Sequence, residues 1–439
     1  MTTQFDTVIR GATVVGRGGE ERLDIGIRDG RIAALGALSP DAAAAIVDAQ
    51  GLHALPGCID LQVHFREPGM THKEDIESGS RAAILGGVTC VMESANTSPP
   101  VADAAGLETK IALAEGRLHC DAAFAFAATV DNLDLLAGAE ATPGCAGIEI
   151  FMSTTTGGIV VDDDALINAI FRRVARRVMV HVGDESRLNA RAAEHIRPGD
   201  VRSHGDWRDP RMACIGLERV VAAARRHGKR VHVMGVSSAE ECALLARSRD
   251  VATGDVTINH LAFAAPGVYD RFDVLALMNP PIRGEEHRSA LWDALNAGVI
   301  DAIGTDHAPH LPEEKQVPYP KGAAGIPGVQ TSLPFMLTAV AQGRITLGRA
   351  VAALSSTPAA ILGFEDKGEI AVGKHADIVL VDLGRTWRVD ETWLRSRCGW
   401  SLFDGEDFTG RIEATFLRGQ LVASGGETVL PPQGRTVGR

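Results

Sequence analysis

The chain has 439 residues with 44 Lys and Arg against 56 Asp and Glu, a formal net charge of −12 with neutral histidines. That acidic balance argues against nucleic acid or an anionic membrane as the main partner. Apolar residues at 45% and charged residues at 23% are those of an ordinary soluble globular protein, which excludes a disordered or fibrous chain.

Residues 1–6 lack a basic stretch and an apolar run, and no uncharged apolar segment of ~18 residues follows, so a cytoplasmic address is expected. From residue 5 to about 55, short alternating runs at 7–15, 24–27 and 31–35 are broken by glycine and charge and read as strands of a small sheet. The same grammar returns at 367–373, 376–382 and 414–422, so both ends are expected to build one β-rich domain. Between them, apolar runs alternate with alanine-rich segments of helical period such as 76–85, 217–226 and 289–297. Such alternation predicts a parallel sheet with crossover helices. Eight strands are expected, at 59–63, 89–93, 122–127, 147–151, 178–182, 230–236, 256–260 and 300–305. Eight make an α/β fold of the closed (β/α)8 type, a TIM-like barrel, with an open doubly wound sheet as the alternative. The boundaries are 1–56 for the N-terminal half of the small β domain, 57–360 for the barrel and 361–439 for the C-terminal half. Seven scattered cysteines without a CxxC pair suggest neither a disulfide framework nor a cysteine metal site.

Barrel enzymes carry their reactive side chains at the C-terminal strand ends. The first run closes with Gln62, His64 and Arg66, the second leads to Asn96, the fourth carries Glu149 and the fifth ends at His181. The seventh closes with Asn259-His260 and is followed by Asn279, and the eighth ends with Asp306 and His310. Nitrogen and carboxylate donors together suit zinc or a similar divalent ion, which lowers the pKa of bound water to ~7. Asp306 is placed to shuttle a proton to a leaving nitrogen, and Arg66 offers a fork suited to a substrate carboxylate.

Leu55-Pro56-Gly57-Cys58-Ile59-Asp60 followed by His64-Phe65-Arg66-Glu67-Pro68-Gly69 resembles the start of a dihydroorotase of the amidohydrolase superfamily. The resemblance continues through Asn96-Thr97, Asn279-Pro280-Pro281-Ile282-Arg283, residues 300–310 and residues 368–377. It implies a metal-assisted barrel with a composite β-sandwich built from both termini. It also implies a clamp for a substrate carboxylate at Arg66, Asn96 and His310, a ring contact at Asn279, and Asp306 as ligand and proton shuttle. A homodimer is the usual expectation.

Several positions depart from that pattern. Gln62 stands where the first strand carries a histidine ligand, and Glu149 where many relatives have a carboxylated lysine. Glutamate is three atoms shorter, roughly 3–4 Å. The sixth-strand histidine is replaced by Gly235, His232 then facing elsewhere, and Gly183 and Gly235 together open room for a larger ligand. His64, Glu149, His181 and Asp306, with Gln62 as a weak fifth, suffice in number for one zinc but not for two. Two functional readings follow. One is a hydrolase of a cyclic amide, ureide or imide bearing a carboxylate, acting through a water activated by one metal. The other is a catalytically silent subunit that scaffolds an aspartate carbamoyltransferase or another partner.

Overall fold

The computed structural model describes residues 4–16, 18–39 and 42–438, so the first three residues of the N-terminal segment lie outside it. Eight parallel strands follow one another in chain order around a barrel: β6 (Cys58–Val63), β7 (Val88–Glu93), β8 (Asp121–Ala127), β9 (Cys145–Phe151), β10 (Val178–His181), β11 (Val231–Val233), β12 (Ala252–Thr257) and β13 (Ala302–Gly304). Their residues are almost all buried, as strands covered by helices outside and packed side chains inside must be. Asp60 of β6 closes the ring: its carboxylate accepts from the Thr305 N–H at 3.0 Å and from the Thr305 hydroxyl at 2.5 Å. The His64 N–H donates to the His307 carbonyl across the same seam at 2.8 Å.

The termini share a second sheet. Strands β1 (Phe5–Gly16), β2 (Gly19–Arg28), β3 (Arg31–Gly36), β4 (Ala43–Asp48) and β5 (His53–Pro56) come from the N-terminal side. Strands β14 (Ile378–Arg388), β15 (Asp407–Leu417), β16 (Gln420–Ser424) and β17 (Glu427–Thr428) come from the C-terminal side. The order is β17-β16-β15-β14-β5-β1-β2-β3, with β4 also on β1. The join is antiparallel, Ile378 opposite Pro56 and Val381 opposite His53. All seven cysteines are free and buried.

Three expected elements differ. The seventh barrel strand ends at Thr257, because its hydroxyl accepts from the His260 N–H and caps a short helix, Ile258–Ala262. Asn259 and His260 therefore sit on that helix and not at a strand end. The sixth strand stops at Val233, two residues before Gly235 turns into the left-handed region at φ 69°. Residues 367–373 form turns, with Gly368 and Gly373 at φ 82° and 90°.

Lys367 instead ties the two parts of the fold. Its buried ammonium lies 2.7 Å from Asp121 at the start of β8 and 2.7 Å from Asp377 just before β14. Lys367→Met leaves Asp377 without its cation and Asp121 with only Arg418. The expected cost is about 3–5 kcal/mol, read as a lower denaturant midpoint at unchanged m-value.

Candidate active site

The turn after β6 sends His64 and Arg66 into a cavity of about 380 Å³ at the C-terminal mouth, and the turn after β13 adds Asp306 and His310. Arg66 and Asp306 are held at φ 61° and 49°, a region that costs non-glycine residues about 1–3 kcal/mol. Their surroundings over-determine the turns. Arg66 Nε donates to the Pro309 carbonyl at 3.1 Å, and the Phe65 N–H donates to Glu93, which pairs with buried Lys110 at 2.5 Å.

One oxygen of Asp306, Oδ1, accepts from Gln62 Nε2 at 2.8 Å and faces His64 Nε2 at 2.9 Å. Among the described residues none bonds its other oxygen, Oδ2, and the residue lines the cavity. His64 Nδ1 stands 2.7 Å from Asn96 Oδ1, and the Asn96 amide nitrogen donates to Thr155. Asn96 thus orients His64, and both its amide atoms are engaged. On the far side, His181 stacks on Phe151 with ring centroids 4.3 Å apart, and its Nε2 meets Glu149 at 2.9 Å.

Around His310 stand Arg66 and Lys73, the latter also paired with Glu314 at 3.0 Å. Arg66 lies 3.0 Å from His310 Nε2, and Lys73 lies 3.1 Å from His310 Nδ1. Burial, with Arg66 and Lys73 alongside, pushes His310 down to about 2, so the ring is neutral at working pH. Behind it Lys315 is wholly buried, donating to the carbonyls of Leu277 at 2.7 Å and Gly325 at 2.9 Å. Burial, then the nearby Arg66 charge, pushes Lys315 down to about 7. Its positive charge is present below that pH and lost above it, so anion affinity is expected to fall as pH rises through about 7. Titration calorimetry of a carboxylate ligand across that range should show the step in the parent and not in Lys315→Met.

The predicted residues fall into two groups. His64, Arg66, Asn96, His181, Asn279, Asp306 and His310 all line the cavity, while Gln62 and Glu149 lie behind its floor. Asn279 Oδ1 faces His204 Nε2 at 2.9 Å. His232 points away, between Thr253 and Asp255. The two glycines open less room than expected: a Cβ on Gly183 would meet Ser153 at 2.9 Å, and one on Gly235 would meet the Pro280 ring at 3.4 Å. His204, Trp207, Arg208 and Tyr319 also line the cavity. His204 and Trp207 lie on a short helix, Ser203–Trp207, Arg208 follows its end and Tyr319 lies in a turn, all outside any motif, and no local sequence signal marks them.

A parallel barrel with histidine, carboxylate and guanidinium at one mouth and a sheet from both termini beside it is the architecture of hydrolases that act on cyclic amides, the class to which the relatives of this chain belong. The chain belongs to the amidohydrolase family, whose profile matches residues 53–422. It is 33% identical to a dihydroorotase of Pyrococcus furiosus, covering 94% of this chain and 92% of that protein. It is 35% identical to an allantoinase of Rubrobacter xylanophilus, covering 99% and 97%. Among solved structures, an L-hydantoinase (dihydropyrimidinase) from Arthrobacter aurescens superposes with a TM-score of 0.94 at 28% identity, covering 99% and 100%.

Members of this family are generally metal-dependent, commonly on zinc. The donors present here do not fit a resident cation. Glu149 meets three donors: the Ser94 hydroxyl at 2.9 Å from both oxygens, the Ala95 N–H at 2.8 Å, and His181 Nε2 at 2.9 Å. These contacts, with burial working against them, hold its carboxyl below the usual range, the His181 hydrogen bond contributing most. Among the described residues no three His, Cys, Asp or Glu groups stand where they could share an ion. The four residues expected to hold a single zinc stand as two hydrogen-bonded pairs, His64 with Asp306 and His181 with Glu149, each at 2.9 Å. Gln62 Nε2 donates to Asp306 Oδ1 at 2.8 Å and stands 3.5 Å from His181 Nδ1, while its Oε1 is buried without a partner.

Proposed function

We propose that this protein hydrolyses the ring C–N bond of a cyclic amide, ureide or imide that carries a carboxylate, using its own acid–base pair. Arg66, backed by Lys73 and Lys315, takes the carboxylate, and Asn279 contacts the ring. Asp306 Oδ2 accepts a proton from water as the water oxygen bonds to the ring carbonyl carbon. The C–N bond then breaks and that proton passes to the leaving nitrogen, giving a new carboxylate and, on the open chain, an amine from a cyclic amide, a urea from a ureide or an amide from an imide. His64 and Gln62, both on Oδ1, fix the carboxylate so that Oδ2 faces the cavity.

The observation that supports this reading is the division of labour at Asp306, one oxygen held twice and the other unbonded in the cavity. A silent subunit has no physical need for a carboxylate held in a left-handed turn with an open oxygen. The test is a panel of dihydroorotate and carboxylated hydantoins against uncharged dihydrouracil and hydantoin, followed by loss of ring-amide absorbance. Turnover is expected for the carboxylated rings, with kcat/KM roughly 100-fold above the uncharged ones. No turnover of any ring, the outcome for a scaffold partner of a carbamoyltransferase, overturns the reading, as does preference for uncharged rings.

A further inference from the structure

The cavity holds a second guanidinium that the proposed chemistry leaves unused. Arg208 is 5% exposed and lines the cavity, yet among the described residues its guanidinium has neither a hydrogen-bond nor an ion-pair partner. Its Nε is buried without a partner, and its plane lies 5.0 Å over the Trp207 ring, which fixes the fork without neutralising it. Arg283 donates to the Arg208 carbonyl at 3.0 Å and anchors the backbone beneath it.

No counter-charge stands close by. Glu185, the acid whose field reaches it, is held by the Thr154 N–H at 2.7 Å and by the Thr154 hydroxyl. The neighbouring His204 shares its Nε2 between Met278 O at 3.1 Å and Asn279 Oδ1 at 2.9 Å, and its Nδ1 is buried without a partner. Burial, with Arg208 alongside, pushes His204 down to about 3, so it supplies no charge of either sign. A buried arginine without an acid is costly unless a ligand brings one.

Arg66 follows the first barrel strand, and Arg208 lies in the connection after the fifth. In a ring of eight, these two strands are diametrically opposed. Two buried guanidiniums, carried by the connections after the first and the fifth strand, thus line one cavity, and each carries N–H groups suited to a carboxylate.

We infer that the ligand of this cavity is a dicarboxylate: one carboxylate rests on Arg66, and a second, separate from the amide that is cleaved, rests on the Arg208–Trp207 wall. The inference rests on the proposed placement of the first carboxylate at Arg66, but not on turnover.

The test is therefore a binding measurement. Succinate, glutarate and adipate, each with its monoamide, are titrated calorimetrically into the whole protein and into Arg208→Met, Arg208→Lys and Arg66→Met, with thermal melts confirming that each variant is folded. The parent should bind the best-fitting diacid at least about tenfold more tightly than its monoamide. Arg208→Met should erase that preference while leaving monoamide affinity in place, Arg208→Lys should restore part of it, and Arg66→Met should weaken both ligands. A parent without the preference, or a preference that survives in Arg208→Met, overturns the inference. Should Arg208→Met fail to fold, the graded loss in Arg208→Lys decides. A protein that binds diacids in this pattern yet opens no ring would overturn the proposed hydrolysis alone.

Discussion

Asp306→Asn is expected to lower kcat on a carboxylated ring by about 10²–10⁴-fold while KM changes little. The substitution keeps an oxygen for Gln62 and His64 and replaces the open Oδ2 with an amide that cannot take a proton from water. Because shape and hydrogen-bond count are nearly preserved, the melting temperature should stay close to that of the parent. Steady-state kinetics with a parallel melt therefore separate loss of the base from loss of the fold. A variant retaining most of its kcat would remove Asp306 from the reaction.

Arg66→Met should act on the other axis, lowering kcat/KM for carboxylated rings by roughly 10–100-fold, chiefly through KM. It removes the charged fork, and with it the bond to Pro309 O that shapes the turn. Arg66→Lys keeps the charge without the fork and should fall between, since an ammonium cannot grip a carboxylate bidentately. The uncharged rings, which gain nothing from Arg66, should be turned over equally by all three proteins. A uniform loss across charged and uncharged rings would mean that Arg66 only supports the turn.

Much of the barrel was legible because its strands are continuous apolar runs bounded by glycine and charge, and the helices between them carry clear periods. The short sheet strands were harder. β4 lies in an alanine-rich run with no alternation, and 367–373 has strand-like residues but glycines that turn the chain. The seventh strand ended early for a local reason, the Thr257 cap, which competes with extension of the ladder.

The site divides in the same way. Residues at strand ends, such as His64, Arg66 and Asp306, were readable because a barrel delivers every strand end to one mouth. Residue type did not reveal the direction of the donor atoms. Histidine and carboxylate suggested a shared ion, but residue type did not show that Glu149 would meet Ser94, Ala95 and His181 or that Gln62 would donate to Asp306. Lys315 and Arg208 were invisible for another reason. Each is an ordinary charged residue until distant segments fold over it, and only the assembled cavity shows which charges are left without an acid.

The most direct measurement is elemental analysis of the purified protein, coupled to kcat/KM on a carboxylated ring before and after chelation and again after adding zinc. The expected result is bound metal well below one equivalent and the same kcat/KM at all three stages. About one equivalent of zinc, with activity lost on its removal and restored on its return, would contradict it.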